Sequence, residues 1–316
     1  MIGGGVAAVS RLDRHALDQI FGERVRFDEP LSRHTSFRIG GPADVWVEVA
    51  DVEEIRRVQA LATAADLPLF VLGGGTNILV SDRGVRGVVV RLGRALACLD
   101  WCANGSGLHA RAGAALSLKR LVTEAIARDL SGLEFAEGIP GTVGGGLLMN
   151  AGAFGGELGN VVEYVDGVDV HGDLQRFPRS ALRFGYRRFD LPPGFIVTHL
   201  DFLLQPGEPA AIHAKRDDAK RRRAAHQPLG HPNAGSIFKN PPGEYAGRLI
   251  DAVGMKGQRH GGAMVSEQHA NFIVNVGGAT AADVRALMIE AARRVWEAKG
   301  VRLEPEIKLV GDWSRT

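Results

Sequence analysis

A glycine-rich stretch from Glu137 to Gly156 constrains this chain more than any other feature. It has the sequence EGIPGTVGGGLLMNAGAFGG, in which eight of twenty residues are glycine and none is basic. Glycine loses more backbone freedom on folding than any other residue, so this density is costly unless the backbone bends sharply or approaches another group closely. A second cluster, LGGGTNILVSD, runs from Leu72 to Asp82 directly after a short apolar run.

The glycine clusters have two interpretations. Backbone N–H groups without shielding side chains hold a pyrophosphate without lysine. The alternative is that the glycines form tight turns and close contacts with neighbouring strands. The chain has no GxxxxGK[ST], and no GxGxxG opens a helix after its first strand. A P-loop NTPase and a Rossmann NAD site are therefore disfavoured.

The chain has 316 residues, which is enough for two or three domains. Residues 1–24 are expected to be an irregular lead-in, and the best boundary lies near 215–228, where the basic helical stretch Lys215–Arg223 meets His226-Gln227-Pro228. Apolar periodicity and capping signals predict the other elements. The predicted strands are Ala43–Val49, Leu69–Leu72, Val85–Leu92, Val161–Val170, Phe195–Leu204 and Asn271–Val276. The predicted helices are one that begins after the N-cap Asp51 and ends before Pro68, Ser117–Asp129, Tyr245–Val253 and Ala281–Lys299, the last preceded by a Thr280–Asp283 capping signal.

Composition narrows the class of function. Lys and Arg outnumber Asp and Glu by only two, so the charge does not require a nucleic-acid or membrane partner. Cys98 and Cys102 lack CxxC spacing, and His260 and His269 lack metal-ligand spacing, which predicts reduced thiols and no metal. The N-terminus lacks the pattern of a signal peptide, and no apolar run is long enough to span a bilayer. We therefore expect a cytoplasmic enzyme or binding protein.

Polar residues that suit chemistry cluster outside the glycine stretches. FGYRRF carries Tyr186 and Arg187, and arginine forms two-pronged contacts with carboxylates or phosphates. HPNAGSIFKNP crowds polar groups around Gly235, including Ser236, while LEPE supplies carboxylates close to the end of the chain. A solvated arginine, a polar turn and exposed charges are the alternatives. No GxSxG occurs, so a hydrolase nucleophile elbow is disfavoured.

Six motifs in one order make the pattern specific. They are TSFRIGGPADVWVEV, LGGGTNILVSD, GLEFAEGIPGTVGGGLLMNAGAFGGEL, FGYRRF, NAGSIFKNP and LEPEIKLVG. Together they closely resemble the UDP-N-acetylenolpyruvoylglucosamine reductases, also called UDP-N-acetylmuramate dehydrogenases. These are bacterial flavoenzymes of peptidoglycan precursor synthesis, and thus of cell wall biogenesis, cell shape and cell division. The resemblance covers residues 25 to 311.

The resemblance implies an α+β fold. It predicts an FAD-binding domain of the vanillyl-alcohol oxidase and p-cresol methylhydroxylase type over residues 25–215, with subdomains at about 25–92 and 93–215, and a C-terminal α+β substrate domain over 216–316. FAD is expected to bind without a covalent link. The implied cofactor-binding residues are Gly73, Gly74, Gly75, Thr76, Asn77, Gly138, Ile139, Pro140, Gly141, Thr142, Gly144, Gly145, Asn150, Ala151 and Gly152.

The resemblance also implies a reaction in two halves. NADPH gives a hydride to flavin N5, which passes it to C3 of the enolpyruvyl group of UDP-N-acetylglucosamine enolpyruvate, and C2 takes a proton to give UDP-N-acetylmuramate. Ser236 is the implied proton donor, Arg187 stabilises the enolate-like carboxylate, and Glu306 is the third implied catalytic residue. The implied substrate-binding residues are Tyr186, Gln227, Lys239 and Asn240. We expect a monomer with no nucleic-acid or membrane partner.

The chain departs from the family pattern in three places. Gln227 stands where some relatives have a lysine, and Phe189 stands where a serine commonly follows the arginine by two positions. The segment between Asn150 and Arg187 is too short for an extra tyrosine loop, which assigns the chain to the shorter-loop branch. Two alternatives stay open, namely a sugar or hydroxy-acid oxidase of the same fold and a non-catalytic nucleic-acid binder that uses KRDDAKRRR.

Overall fold

The computed structural model describes residues 14–104 and 107–314, and residues 1–13 of the expected lead-in lie outside this part. The α-helices are α1 (Arg14–Phe21), α2 (Val52–Ala64), α3 (Leu118–Ile126), α4 (Val143–Leu148), α5 (Pro209–His226), α6 (Ala246–Ala252) and α7 (Ala281–Lys299). Strands β1 to β10 are Val25–Pro30, Pro42–Val49, Leu69–Val71, Ile78–Val80, Val85–Leu92, Leu99–Asn104, Gly107–Gly113, Leu130–Ser131, Gly152–Ala153 and Gly156–Glu157. Strands β11 to β19 are Val162–Val168, Leu174–Pro178, Arg183–Gly185, Arg188–Asp190, Ile196–Pro206, Arg259–His260, Ala263–Val265, Ile273–Asn275 and Lys308–Val310.

The described residues form two compact units that exchange segments along the chain. The first contains residues 14–27, Val45–Gly74 and Gly87–Arg222, and the second contains Asp28–Asp44, Gly75–Arg86 and residues 223–314. Two N-terminal segments thus belong to the unit that holds the C-terminal residues.

A six-stranded sheet organises the first unit. Its order is β12-β11-β15-β7-β6, with β8 also pairing with β15, and these pairs are antiparallel. Strand β15 is central because its sequence IVTHLDFLLQP is apolar enough to be buried over most of its length. The core against it includes Leu121, Val143, Leu147 and Phe202, all fully buried. This core reaches into the glycine segment, which contributes Val143 and Leu147.

A four-stranded sheet has the order β1-β2-β5-β3, in which β3 and β5 are parallel. Helix α2 connects β2 with β3. Asp51 caps this helix by accepting from the Glu54 amide at 2.9 Å, which confirms the predicted start.

The second unit combines helices α6 and α7 with short strands. Strands β16, β17 and β18 form an antiparallel sheet, and β19 pairs in parallel with β4, so that Lys308 lies opposite Ile78. Helix α7 buries Val284, Leu287 and Ala291 in the unit's core. The segments that follow Asn233 and Leu303 each contribute apolar residues to this core.

Most predicted elements are confirmed with small shifts at their ends. Strand β5 and helix α7 match their predicted bounds, and α5 ends at His226 as its terminating sequence predicts. Two helices differ from expectation. Helix α1 lies within the expected lead-in and buries Leu17 and Phe21, and α4 lies within the glycine segment after Thr142, whose hydroxyl accepts from the Gly145 amide. Glycine disfavours helix locally, but tertiary burial of Val143 and Leu147 outweighs that preference.

Neither a membrane-spanning helix nor a group of metal ligands occurs in the described part of the chain. No helix within residues 14–104 and 107–314 combines the length and apolar character that a bilayer span requires. Within the same residues, no three His, Cys, Asp or Glu side chains are grouped as metal ligands.

Candidate active site

A cleft lies in the first unit where the two glycine clusters meet. Gly73 and Gly74 line it from one cluster, and Thr142, Gly144 and Gly145 line it from the other. The remaining walls are mainly apolar and consist of Val71, Leu72, Arg91, Leu92, Ala114, Ala115, Leu148, Phe195, Ile196 and Val197. An apolar cleft with a few polar groups is the usual form of a site for a cofactor or small ligand.

The close approach of the two loops explains why these positions are glycine. A Cβ on Gly74 would lie 2.7 Å from the Cα of Gly141, and one on Gly73 would lie 2.8 Å from Thr142 Oγ1. Gly144 is equally confined, since its Cβ would lie 2.9 Å from the Cβ of Ala114. Any side chain at these three positions would push the walls of the cleft apart.

Several amides that the sequence analysis assigned to a pyrophosphate are already engaged. Gly144 N donates to Ala114 O at 2.9 Å, and Ile139 N donates to Ala136 O at 3.0 Å. Gly145 N donates to Thr142 Oγ1 at 3.2 Å. The hydrogens of these three amides therefore have protein acceptors, and binding of a pyrophosphate at these positions stays a prediction.

Tyr186 and Arg187 form the loop of a hairpin in the first unit. Strands β13 and β14 pair Gly185 with Arg188, so that only these two residues lie between them. The ring of Tyr186 is 52% exposed, and the Arg187 guanidinium lies 5.1 Å from its centroid. Arg187 has a φ of +54°, a left-handed conformation that is costly for a residue with a side chain. Such strain commonly occurs at functional sites.

Ser236 and Glu306 lie on two segments of the second unit that pair with each other. Glu306 N donates to Ile237 O at 2.8 Å, and Lys239 N donates to Glu304 O at 2.9 Å. These bonds flank an antiparallel bridge between Phe238 and Pro305. The motifs NAGSIFKNP and LEPE, which are distant in the sequence, thus form one short piece of sheet.

The loop that precedes Ser236 is held by side chains. Asn233 Oδ1 accepts from Gly235 N at 2.9 Å, and its Nδ2 donates to His231 O at 2.9 Å. Ser36 Oγ donates to Asn233 O at 2.6 Å. Ser236 itself is half-buried, and none of the described residues forms a hydrogen bond with its hydroxyl group. The loop is therefore fixed while this hydroxyl stays available to a ligand.

Ser36 and Asn77 connect the second part of the GGGTN loop with this region. Ser36 N donates to Gly75 O at 3.0 Å, and Asn77 Nδ2 donates to Glu306 O at 3.2 Å. Lys308 N donates to Asn77 O at 3.0 Å. Within the second unit, residues predicted to bind the cofactor are thus bonded to residues predicted to bind the substrate.

The remaining predicted substrate contacts have local partners in the second unit. Lys239 Nζ lies 3.4 Å from Glu304 Oε2, and Asn240 Oδ1 accepts from Ala246 N at the start of α6, at 3.0 Å. Gln227 N donates to Arg223 O at 2.8 Å at the end of α5. Of these three, Lys239 has a flexible charged group that is free to turn toward an anionic ligand.

Asn271 and His269 hold the segment that carries Ser236 in place, a role that the sequence analysis did not identify. Asn271 is 3% exposed and bonds both backbone groups of Phe238. Its own amide donates to His269 Nδ1 at 3.1 Å, so this nitrogen is unprotonated. Burial lowers the pKa of His269, and the positive charges of His226 and Lys256 lower it further. In the sequence, only the run of polar residues SEQHAN indicates this role.

Two family models match this chain. One, described as the C-terminal domain of UDP-N-acetylenolpyruvoylglucosamine reductase, matches residues 227–310. The other, described as an FAD binding domain, matches residues 43–177. The first range holds Ser236 and Glu306, and the second holds both glycine clusters.

Curated proteins and a solved structure are similar over nearly the whole chain. UDP-N-acetylenolpyruvoylglucosamine reductase 2 of Symbiobacterium thermophilum is 49% identical over 91% of this chain and 92% of its own length. The reductase of Geobacter metallireducens is 45% identical over 93% of this chain and 96% of its own. The crystal structure of the reductase from Thermus caldophilus is 39% identical, has a TM-score of 0.78, and covers 91% of this chain and 99% of that one.

Proposed function

The chain belongs to the UDP-N-acetylenolpyruvoylglucosamine reductase family, and we propose that it reduces UDP-N-acetylglucosamine enolpyruvate to UDP-N-acetylmuramate with NADPH. It is an FAD-dependent oxidoreductase of peptidoglycan precursor synthesis, and its residues 43–177 match the model of an FAD binding domain. The proposal adds the electron donor, the residues and their roles.

One observation carries the residue assignments. The 2.8 Å bond between Glu306 N and Ile237 O joins the segment of Glu306 to the residue that follows Ser236. The resemblance had brought these two residues together by motif alone, and the pairing of their backbones supports a common task for them. A half-buried hydroxyl and a carboxylate carried by two paired segments suit the task of holding and moving one proton.

The first unit fits FAD. Its cleft is apolar, is lined by both glycine clusters and has no space for a Cβ at Gly73, Gly74 or Gly144. When bound, FAD supplies hydride transfer through its N5. We propose the cofactor contacts from Gly73 to Asn77, from Gly138 to Thr142, at Gly144 and Gly145, and from Asn150 to Gly152.

The chain's own residues hold the substrate and manage its charge. Ser236 Oγ holds the proton that C2 of the enolpyruvyl group takes up, and Glu306 orients the substrate carboxylate or shares a proton with it. The Arg187 guanidinium stabilises the negative charge that develops on that carboxylate, as an oxyanion site does. Tyr186, Gln227, Lys239 and Asn240 contact the remainder of the substrate. Each role is a positioning or proton-holding task that these side chains can perform.

The cellular setting is part of the proposal. The enzyme acts in the bacterial cytoplasm, where NADPH and the nucleotide substrate are present. We propose a monomer that requires no membrane or nucleic-acid partner. The near balance of Lys and Arg with Asp and Glu supports this view.

Product analysis tests the proposed function. The purified protein with FAD, NADPH and UDP-N-acetylglucosamine enolpyruvate should yield a product two hydrogens heavier by mass spectrometry. The matched control replaces the substrate with UDP-N-acetylglucosamine, which lacks the enolpyruvyl group and should give no product. Oxygen-dependent oxidation of a sugar or hydroxy acid, without conversion of the enolpyruvyl nucleotide, would contradict the proposal.

A further inference from the structure

Asn150 is fully buried, and its side chain joins two backbone segments of the first unit. Its Nδ2 donates to Gly185 O at 3.1 Å, and its Oδ1 accepts from Gly159 N at 2.9 Å. Its own backbone amide donates to Leu147 O at 2.8 Å. Both polar ends of the side chain are therefore used within the protein, although the sequence analysis assigned this residue to the cofactor.

The backbone of Asn150 is also unusual, with a φ of +40°. Asparagine tolerates this left-handed region better than most residues with side chains, because its short amide bonds locally. The chain thus turns sharply at the end of α4 and directs the amide at Gly185, the residue directly before the Tyr186–Arg187 loop.

This hairpin has little support of its own. Strands β13 and β14 have three residues each and form a separate two-stranded sheet. A hairpin of this size is marginal without packing against another element. Its stacked rings, Phe184 and Phe189, lie 4.6 Å apart between centroids. The direction of its tip, which carries Arg187, therefore depends on the contacts that hold its strands.

Gly159 contacts the same strand of the hairpin one residue farther from the loop, at Phe184. A Cβ on Gly159 would lie 2.7 Å from Phe184 Cγ, so the glycine backbone packs directly on the hairpin's ring. Arg179 Nε donates to Gly159 O at 3.0 Å, and its guanidinium lies 4.8 Å from the centroid of Phe184. Asn150, Gly159 and Arg179 thus form one clamp on strand β13 of the hairpin.

We infer that Asn150 is a positioning residue for Arg187, which it orients by bonding the Gly185 carbonyl and the Gly159 amide. The inference rests on the proposed function, in which Arg187 meets the substrate carboxylate. Displacement of a charged group by about an ångström costs on the order of 10²-fold in rate. The glycine segment would in this way set the position of the hairpin through one amide group.

Two variants separate this role from folding. Asn150→Asp keeps the acceptor for Gly159 N and the tolerance for left-handed backbone, but it replaces the donor to Gly185 O. Asn150→Gly keeps the backbone conformation and removes both bonds. We expect reoxidation by the enolpyruvyl substrate to slow by about 10- to 100-fold in both variants, and to slow by more than reduction of the flavin by NADPH does.

A double-mutant cycle with Arg187→Ala provides a readout that a merely structural role would not change. If Asn150 acts through Arg187, adding Asn150→Gly to Arg187→Ala should slow substrate reoxidation by less than about 3-fold more. Asp51→Ala is the matched control, since it removes a helix cap of the same unit. Any effect it has on the rates should be the same for both half-reactions and independent of the effect of Arg187→Ala.

The outcomes distinguish failure of the inference from failure of the proposed function. If the wild-type flavin is not reoxidised by the enolpyruvyl substrate, the proposed function fails. Two results with a reactive wild-type protein would show that the positioning role is wrong. One is that the Asn150 variants slow both half-reactions equally. The other is that they slow substrate reoxidation by the same factor with and without Arg187→Ala. If a variant loses FAD, Arg179→Ala loosens the same clamp from the other side. It must then slow substrate reoxidation selectively, or the inference fails.

Discussion

The side-chain amide of Asn271 bonds both backbone groups of Phe238, which follows Ser236 by two positions. Its Oδ1 accepts from Phe238 N at 3.0 Å, and its Nδ2 donates to Phe238 O at 2.8 Å. Asn271 O also accepts from Ile237 N at 2.9 Å. Asn271 thus imitates a neighbouring strand and holds the segment that carries the proposed proton donor.

Asn271→Asp should weaken both the fold and the second half-reaction. The substitution leaves the buried Phe238 carbonyl without a donor and places a carboxylate beside it, so the free energy of unfolding should fall by about 1–3 kcal/mol. Urea unfolding measures this loss, and stopped-flow absorbance measures reoxidation of the flavin by substrate. A stable variant with unchanged reoxidation would show that Asn271 does not position Ser236.

His269 should make the second unit less stable at mildly acidic pH. Burial lowers the pKa of its imidazole, with the charges of His226 and Lys256 acting in the same direction. Above about pH 6.5 it is neutral in both states, but below that value the unfolded chain takes up the proton first. The free energy of unfolding should therefore fall as the pH decreases from about 6.5, and the loss ends below the folded-state pKa.

His269→Asn tests this pH dependence, because the Asn oxygen can accept from the Asn271 amide without titrating. Urea midpoints at about pH 8 and about pH 5.5 should differ less in the variant than in the wild type. His199 has a pKa lowered mainly by burial and contributes with the same sign, so some pH dependence should persist. Equal differences in both proteins would exclude His269 as the source.

Asp82 should contribute strongly to the stability of α7. Its carboxylate accepts from Ala281 N at 2.8 Å and from Ala282 N at 3.0 Å, in addition to the Thr280–Asp283 capping box. Asp82→Ala should lower the free energy of unfolding by about 1–2 kcal/mol, as measured by chemical denaturation. Asp82→Asn keeps one acceptor and should lose less. If Asp82→Ala is as stable as the wild type, the two bonds add nothing beyond the capping box.

Arg187 should reveal a conflict between backbone strain and activity. Its φ of +54° is costly for alanine but not for glycine. Arg187→Gly should therefore be more stable than Arg187→Ala by about 1 kcal/mol, while both variants retain FAD and slow reoxidation by substrate to the same extent. Thermal unfolding and stopped-flow absorbance measure the two effects. Loss of FAD from both variants would show that the arginine belongs to the cofactor site.

Local signals made part of the structure predictable. Helix α7 follows from its apolar spacing and from the caps Thr280 and Asp283, which act within one turn. Helix α4 does not, because its glycines disfavour helix and only tertiary contacts such as Gly144 N with Ala114 O compensate. The sequence could not show that the Gly144 amide was engaged by the protein, since its acceptor, Ala114 O, comes from another segment.

The supporting residues of the site were equally hidden in the sequence. Asn150 and Asn271 bond to backbone groups 35 and 33 positions away, and an asparagine in a polar loop gives no indication of such a partner. Ser36 meets Asn233 across 197 positions. Motif resemblance identified Ser236, Arg187 and Glu306 as candidates, whereas the contacts that fix them required the fold.

Stopped-flow absorbance of Ser236→Ala is the most direct test of Ser236 as the proton donor to C2. The bound flavin is first reduced anaerobically with NADPH, and its reoxidation by the enolpyruvyl substrate is then followed, with wild type as the reference. If Ser236 has this role, the flavin should be reduced at a rate close to that of wild type and reoxidised at least about 10²-fold more slowly, because C2 loses its proton donor. Equal slowing of both steps, or unchanged reoxidation, would contradict it.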